Sequence, residues 1–188
     1  MTEADVFRTF MNTSMDEAVV VANGYLSRQA FWCRDLGTNF YMLGSMGLAL
    51  SIGLGVAIAQ PRRRVAVLDG DGNLLMSLGA LAMTGHIAPP NIMHIVIDNQ
   101  QYASTGGQTS ISKVVKMPAL ALAAGYRVGL EASDDAQLSE ALEHMRAVDG
   151  PSFLRVLVSA GSGAAPRVPR SPEEIACTFR KSIAEDRV

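Results

Sequence analysis

Residues 68–108 decide the fold, and they read LDGDGNLLMSLGALAMTGHIAPPNIMHIVIDNQQYASTGGQ. An apolar run ends at Leu68, a turn of glycine and aspartate follows, and residues 73–86 then have the spacing of a helix. Residues 92–97 are too uniformly apolar for a half-exposed strand, which predicts a strand inside a parallel sheet. The segment is therefore typical of a strand–helix–strand unit. The predicted inner face of its helix carries Leu74, Leu75, Leu78, Leu81 and Ala82.

The same alternation of apolar runs and turns extends in both directions along the chain. It predicts a doubly wound, mostly parallel α/β sheet with helices on both faces and functional sites at the carboxyl ends of the strands. We expect a single domain over residues 1–160, then a mobile segment and a C-terminal helix over residues 161–188. That helix begins with a capping-box pattern, Ser171-Pro172-Glu173-Glu174. The other predicted strands are 18–22, 64–68, 126–130 and 152–158, and the other predicted helices are 3–11, 25–32, 118–124 and 134–148, with a glycine-rich helix that ends near Gln60.

Composition and charge restrict the class of protein. The 188 residues are 48% hydrophobic and 18% charged, with a net charge of −2, which excludes a disordered tail. Because no basic stripe with interleaved aromatic residues is present, we expect no nucleic-acid partner. Cys33 and Cys177 are too far apart in sequence for a CxxC pair, and the first ten residues contain acids where a signal peptide is basic. A reducing, cytoplasmic location is the simplest expectation.

Residues 40–60 leave a different interpretation open. They read FYMLGSMGLALSIGLGVAIAQ, carry no charge and precede three arginines, as a membrane span with a positive flank would. Four glycines and two serines dilute the hydrophobicity, and a short apolar run and a polar turn follow. We therefore predict a buried helix and no membrane association, with a membrane span as the alternative.

The turn Gly70-Asp71-Gly72 lies between a predicted strand and a predicted helix. This arrangement directs helix N-terminal N–H groups at the turn and suits a phosphate, which would repel Asp71 unless a cation lay between them. Asn99 follows the next strand, 28 positions later, and in a parallel sheet both residues reach the same edge. Oxygen ligands of this kind are typical of Mg²⁺. The spacing alone is equally compatible with a plain strand–helix–strand unit that has two polar turn residues.

The motif GDG followed by Asn99 at this distance resembles the cofactor-binding signature of thiamine diphosphate-dependent 2-oxo acid decarboxylases. Two further stretches resemble those of sulfopyruvate and phosphonopyruvate decarboxylases: residues 39–47, NFYMLGSMG, and residues 102–108, YASTGGQ. The resemblance covers roughly residues 19–158 and implies the fold of the diphosphate-binding domain of that family.

The resemblance also implies roles for individual residues. Thiamine diphosphate and Mg²⁺ would be bound, the metal by the side chains of Asp71 and Asn99 and by the carbonyl of Gln101. The carbonyl of Gly44 would accept a hydrogen bond from the 4′-amino group of the cofactor, and Met46 would hold the cofactor in its bent shape. The residues from Ser104 to Gly107 would close over the substrate, unless they form an ordinary flexible loop. The cofactor contacts implied in this way are Gly24, Tyr25, Gly44, Ser45, Met46, Gly70, Asp71, Gly72, Asn73, Asn99, Gln101 and Tyr102, and the substrate loop is Ser104, Thr105, Gly106 and Gly107.

Catalysis in this family needs a carboxylate from a separate pyrimidine-binding domain, which the sequence does not contain. The resemblance therefore implies the β subunit of a two-subunit decarboxylase, inactive without an α subunit that carries the pyrimidine-binding domain. Its substrate would be a small anionic 2-oxo acid such as 3-sulfopyruvate or 3-phosphonopyruvate, and its assembly at least α2β2. The alternatives are an acetolactate synthase-like carboligase subunit, a ferredoxin-linked oxidoreductase subunit, and a non-catalytic phosphate- or nucleotide-binding module.

Overall fold

A six-stranded parallel sheet forms the centre of the computed structural model, which describes residues 1–14, 16–159 and 165–184. The sheet order is β2-β1-β3-β4-β8-β7, and β5 and β6 form a separate antiparallel pair. The chain moves from β1 outward to β2 and then returns to the other side of β1 for β3, so the winding direction reverses between β1 and β3. The strands are β1 (Ala18–Val21), β2 (Asn39–Tyr41), β3 (Val65–Gly70), β4 (Ile92–Asp98), β5 (Gln101–Tyr102), β6 (Gln108–Thr109), β7 (Val128–Ala132) and β8 (Ser152–Leu157).

Helices cover both faces of the sheet, which confirms the predicted doubly wound fold. In one layer the first helix contacts the second and the seventh, and in the other the fifth helix contacts the third and the sixth. The eighth helix packs against β2 at one edge. The helices are α1 (Glu3–Thr13), α2 (Tyr25–Cys33), α3 (Ala49–Ala59), α4 (Asp71–Leu75), α5 (Leu78–Ile87), α6 (Met117–Ala123), α7 (Asp135–Ala147) and α8 (Pro172–Ala184), with a 3₁₀ turn at Ile111–Lys113.

The central strands are covered on both faces, which is why apolar and polar residues do not alternate in their sequences. Every residue of β4 is buried, as expected for a strand with helices on both faces. Its two polar residues are His94 and Asp98, and His94 Nε2 lies 3.1 Å from Oδ2 of the equally buried Asp69. The aromatic rings of Tyr126 and Phe153 contact His94. These contacts give His94 a structural role.

The predicted continuous helix over residues 73–86 is wrong. Two helices, α4 and α5, occupy this segment and are separated at Met76 and Ser77. Ser77 has φ −138° and ψ 51°, which no helix accommodates. Because the break changes the phase of the helix, Leu78 is 41% exposed and Ala82 is exposed as well, whereas Leu74 and Leu81 are buried as predicted.

The glycine-rich segment is also divided differently from the prediction. Residues 42–48 form a loop, and α3 begins only at Ala49. Gly47 has φ +93°, a left-handed conformation that a glycine adopts at little cost. The strand predicted at 126–130 lies two residues later, at β7. In the described part of the chain, no helix has both the length and the apolar character needed to cross a membrane.

The C-terminal segment contains the predicted capping box. The Ser171 N–H donates to Glu174 Oε2 at 2.7 Å, and the Glu174 N–H donates to Ser171 Oγ at 3.2 Å. Residues 160–164 and 185–188, which include much of the segment predicted to be mobile, lie outside the described residues. Ahead of α8, the Pro166 carbonyl accepts a hydrogen bond from Trp32 Nε1 at 3.0 Å, and Val168 is buried.

Candidate functional site

A cleft opens at the carboxyl ends of β1, β3 and β4, where the winding of the sheet reverses. Reversal points of this kind are the usual ligand sites of doubly wound sheets. The register pairs Val21 with Leu68 and Gly70 with Ile97, so the turns after these three strands converge. Of the residues implied by the resemblance, the cleft is lined by Gly24, Tyr25, Met46, Gly70, Asp71, Gly72, Asn73, Asn99, Gln101, Tyr102 and Ser104.

Asp71 presents a buried carboxylate oxygen to this cleft. The residue is only 4% exposed, and its Oδ2 has no hydrogen-bond partner among the described residues. Burial raises the pKa of the Asp71 carboxyl, and the nearby charge of Asp98 adds to this effect, against hydrogen bonds from Ser110, Gly72 and Ser112. A buried carboxylate oxygen without a partner is costly, and a bound cation would compensate for that cost.

Asn99 is held at both ends of its side-chain amide. Its Oδ1 accepts a hydrogen bond from the Gln101 N–H at 3.0 Å, and its Nδ2 donates to Glu3 Oε1 at 2.9 Å. Between them, Gln100 adopts φ +60°, which turns the chain sharply after β4. The turn therefore carries Asn99 and Gln101 to the same cleft as Asp71.

Asp98, one residue earlier, is fully occupied by the protein. Its Oδ2 receives Arg155 Nε at 2.7 Å and Nη2 at 2.6 Å, and its Oδ1 accepts from Ser112 Oγ at 2.8 Å and from the Gln100 N–H at 2.9 Å. Asp98 thus supports the turn instead of contributing an oxygen to the cleft. The ion pair with Arg155 joins positions 57 residues apart, so the sequence pattern contained no signal for it.

The loop over residues 42–48 is fastened to the GDG turn by Asn73. The Gly47 N–H donates to Asn73 Oδ1, and Asn73 Nδ2 donates to Asp69 Oδ1. The bond to Asp69 uses one of the two Nδ2 hydrogens of Asn73, so the other hydrogen can contact a diphosphate without breaking either bond. Gly44 and Ser45 are exposed and line a neighbouring recess beside Pro172, not the cleft itself.

Gly72 lies in a space bounded by two of the other candidate residues. A Cβ atom at this position would lie 2.5 Å from Tyr102 Cε1 and 3.3 Å from Met46 Cε. Such contacts are too close, so a side chain at position 72 would displace Tyr102 or Met46. Gly72 therefore lines the cleft with its backbone alone, and backbone N–H groups are common phosphate ligands.

The predicted substrate loop is the tip of the β5–β6 hairpin. Its turn is closed by hydrogen bonds from the Thr105 and Gly107 N–H groups to the Tyr102 carbonyl, at 3.2 and 3.0 Å. Ser104 borders the cleft, whereas Thr105, Gly106 and Gly107 are exposed and do not line it.

Sequence reasoning missed two polar residues of the cleft, Glu3 and Asn23. Glu3 is 4% exposed and reaches the cleft from α1, and Asn23 Oδ1 is buried without a hydrogen-bond partner in the described structure. The position of Asn23 directly after β1 was a usable signal. Glu3 gave none, because it meets Asn99 across 96 positions of sequence.

Comparison with known proteins identifies the family. Residues 22–156 match the family model of the thiamine pyrophosphate enzyme, C-terminal TPP binding domain. The chain belongs to the thiamine pyrophosphate enzyme family. This confirms the resemblance found in the sequence.

Two named thiamine pyrophosphate enzymes are similar to this chain in sequence, and they differ greatly in length. Sulfopyruvate decarboxylase subunit beta of Methanothermobacter thermautotrophicus is 42% identical over 168 residues, which span 89% of this chain and 88% of that subunit. Phosphonopyruvate decarboxylase of Streptomyces viridochromogenes is 43% identical over 169 residues, 89% of this chain but only 42% of the relative. The chain thus spans less than half of the second relative.

A solved structure supports the same fold for this thiamine pyrophosphate enzyme domain. An X-ray structure from Mycobacterium smegmatis, assigned provisionally as a thiamin diphosphate-dependent enzyme, matches with a TM-score of 0.72 at 20% identity. The match covers 85% of this chain and 32% of that one.

The residues of the cleft fit a diphosphate and a hard divalent cation. The unpartnered Asp71 oxygen, the Asn99 amide and the Gln101 carbonyl offer oxygen ligands, and Gly72 lines the cleft with its backbone alone. Within the described ranges, no group of three or more His, Cys, Asp or Glu side chains is arranged to hold a metal ion. A metal in the cleft would therefore need amide and carbonyl oxygens in addition to carboxylate.

Proposed function

We propose that this chain is the thiamine diphosphate- and Mg²⁺-binding β subunit of a decarboxylase for small anionic 2-oxo acids such as 3-sulfopyruvate or 3-phosphonopyruvate. The observation that carries the proposal is the alignment at 42% identity that spans 89% of this chain and 88% of a sulfopyruvate decarboxylase subunit beta. Phosphonopyruvate decarboxylase, at 43% identity, supports the same class of substrate, a 2-oxo acid with a second anionic group.

In this proposal the residues of the cleft bind and orient the cofactor. Asp71 and Asn99 coordinate Mg²⁺ through their side chains and Gln101 through its carbonyl. The turn at Gly24 and Tyr25, with Gly70 and Gly72 opposite, surrounds the diphosphate. When bound, thiamine diphosphate supplies the electron sink that loss of CO₂ from a 2-oxo acid requires.

The loop over residues 42–48 orients the rest of the cofactor in this proposal. Met46 packs against the pyrimidine and thiazolium rings, and the Gly44 carbonyl accepts from the 4′-amino group. The loop is held to the GDG turn through Asn73, so Met46 keeps a fixed position over Gly72. The hairpin tip from Ser104 to Gly107 stands at the mouth of the cleft and closes over the substrate.

A partner subunit supplies the pyrimidine-binding domain and its catalytic carboxylate. Support comes from the helix layer of α3 and α5: residues 40–60 contain no charged residue, and α5 contains none apart from His86. Several large apolar side chains on this layer are 41–63% exposed, and exposed apolar surface of this kind marks a protein interface. We propose an α subunit at this layer, in a cytoplasmic assembly of at least α2β2. The side chains are Ile58, Met76, Leu78, Met83 and Ile87.

Binding and turnover test the proposal separately. Isothermal titration of the purified chain, with any co-purified partner, should show thiamine diphosphate binding that requires Mg²⁺ and is lost in Asp71→Ala. Binding of a different phosphate compound in preference to thiamine diphosphate would instead indicate a phosphate-binding module.

For turnover, the chain alone and the chain with its α subunit are each given 3-sulfopyruvate, 3-phosphonopyruvate and pyruvate. We expect CO₂ release only from the complex, with one of the two dianionic acids preferred over pyruvate. CO₂ release by the isolated chain would contradict the proposal, and acetolactate formation from pyruvate would indicate a carboligase.

A further inference from the structure

Glu3 is a buried carboxylate that lines the cleft from a distant part of the sequence. It is 4% exposed, belongs to the first turn of α1 and lies before residue 22, where the family match begins. None of the motifs that identified the cofactor site includes it. A buried carboxylate in a cleft needs a physical explanation, because its desolvation is unfavourable.

Two side-chain amides provide the contacts of Glu3. Asn99 Nδ2 donates to Glu3 Oε1 at 2.9 Å, and Gln29 also hydrogen-bonds to the carboxylate. Burial raises the pKa of Glu3, and these two amide donors lower it in part. Glu3 therefore accepts hydrogen bonds from α2 and from the turn after β4 at the same time.

The contact with Asn99 determines which way the amide faces. An amide has one accepting and one donating end, and here Oδ1 faces the Gln101 N–H at 3.0 Å while Nδ2 faces Glu3. A rotated amide would place its oxygen against the Glu3 carboxylate and its NH₂ against the Gln101 N–H. Glu3 thus makes the reversed orientation unfavourable at both ends.

Glu3 is itself held firmly at the start of α1. The side chains of Thr2 and Asp5 form a capping box around it, with the Thr2 N–H donating to Asp5 Oδ2 at 2.9 Å. The Met1 carbonyl accepts from the N–H and Oγ of Ser159 at 3.0 and 3.1 Å. The first turn of the helix is therefore fixed to the end of β8 as well as to its own cap.

We propose that Glu3 is a positioning residue that holds the Asn99 amide with Oδ1 toward the divalent cation beside Asp71. This inference rests on the proposed function, since it concerns the same metal site. Glu3 acts through Asn99 and touches neither the metal nor the substrate. Partners that orient a metal ligand in this way typically change metal affinity by about 10–100-fold when they are removed.

Three substitutions separate reach, charge and hydrogen bonding. Glu3→Ala removes the acceptor, Glu3→Asp keeps the charge but is one methylene too short, and Glu3→Gln keeps an acceptor oxygen at the same distance. In Glu3→Gln the Gln29 amide can rotate and accept through its Oε1, which has no hydrogen-bond partner in the described structure. Glu3→Gln is therefore the conservative variant.

The measurement is the dissociation constant of Mg²⁺, by isothermal titration at saturating thiamine diphosphate, for the full chain with any co-purified partner. We expect Glu3→Ala and Glu3→Asp to weaken Mg²⁺ binding by about tenfold or more, and Glu3→Gln to stay close to the wild type. Asn91→Ala is the matched control, because it removes hydrogen bonds to the carbonyls of Ala57, Gln60 and Arg63 at the opposite end of the sheet and leaves the contact between Glu3 and Asn99 in place. Its melting temperature should fall while its Mg²⁺ affinity is retained.

Each outcome distinguishes the inference from the proposed function. A wild type that binds no Mg²⁺ with thiamine diphosphate would overturn both. A wild type that binds, with unchanged affinity in Glu3→Ala or an equal loss in Asn91→Ala, would overturn the role of Glu3 alone. If Glu3→Ala does not fold, Glu3→Asp decides. A Mg²⁺ affinity of Glu3→Asp equal to that of Glu3→Gln would show that the length of the side chain does not matter, and would overturn the inference.

Discussion

Asp71 is subject to two opposing requirements in a metal-free chain. Its carboxylate is buried with one unpartnered oxygen, which destabilises the fold, and the same oxygen is the ligand offered to a cation. Asp71→Asn should therefore abolish Mg²⁺-dependent cofactor binding and raise the melting temperature of the metal-free chain. A relief of about 1 kcal/mol corresponds to about 2–4 °C for a chain of this size.

Calorimetry of the metal-free variant and the metal-free wild type measures this effect. Asn23→Ala is a useful comparison, because Asn23 also presents a buried, unpartnered oxygen to the cleft but carries no charge. A metal-free Asp71→Asn chain that melts below the wild type would show that the unpartnered Asp71 oxygen does not destabilise the fold.

Arg155 should be far more important for stability than an ordinary surface arginine. Arg155→Met leaves Asp98 buried without its cation, which costs about 3–5 kcal/mol. Arg170→Met breaks the ion pair between Arg170 and Asp35, and both of these side chains are partly exposed. This change should lower the free energy of unfolding by at most about 1 kcal/mol. Urea denaturation of both variants provides the comparison, and equal losses would contradict the structural role assigned to Asp98.

At the scale of elements, Asn73 connects the short helix α4 to the loop of Met46. Asn73→Ala leaves the Gly47 N–H and Asp69 without this partner, at a cost of about 1–3 kcal/mol. We expect faster amide hydrogen exchange at residues 44–48 and weaker cofactor binding.

Asn91→Ala is the matched control for the connection made by Asn73. Asn91 Nδ2 donates to the carbonyls of Ala57, Gln60 and Arg63 at the opposite end of the sheet, so its loss should lower stability without changing cofactor binding. Unchanged exchange of residues 44–48 in Asn73→Ala would show that the loop is held by other contacts.

Elements set by residues that are close in sequence could be predicted, whereas elements set by contacts between remote segments could not. The GDG turn and Asn99 were recognisable, because each lies directly after an apolar strand, and β4 was recognisable from its uninterrupted apolar run. The break at Ser77 could not be recognised, because the helical spacing of apolar residues continues across it. Tertiary hydrogen bonds such as that between Asn73 and Asp69 hold α4 apart from α5. The positions of Glu3 and Arg155 at the site depend on packing between remote segments, for which a single sequence holds no pattern.

For the whole molecule, the uncharged layer of α3 and α5 predicts dependence on a partner. Met83→Lys places a charge on this layer at a side chain that is 52% exposed, so it should block association with little effect on the fold. Glu140→Lys makes a comparable change at an exposed position of α7, in the opposite helix layer, and should leave association intact.

Size-exclusion chromatography with light scattering, on the chain co-expressed with its partner, reports the outcome. We expect the Met83→Lys chain to elute alone and the Glu140→Lys chain to elute in the complex. Retention of the partner by Met83→Lys would place the interface elsewhere on the molecule.

The anchoring of Met1 beside β8 has a practical consequence for handling the protein. Since Met1, Thr2 and Asp5 fix the first turn of α1, and Glu3 in that turn reaches Asn99, an affinity tag fused ahead of Met1 would add its bulk next to the turn whose Glu3 contacts the proposed metal ligand Asn99. We expect preparations tagged at this end to lose Mg²⁺ affinity that cleavage of the tag restores. A tag after Val188 follows α8, which packs at the β2 edge, and suits cofactor measurements better.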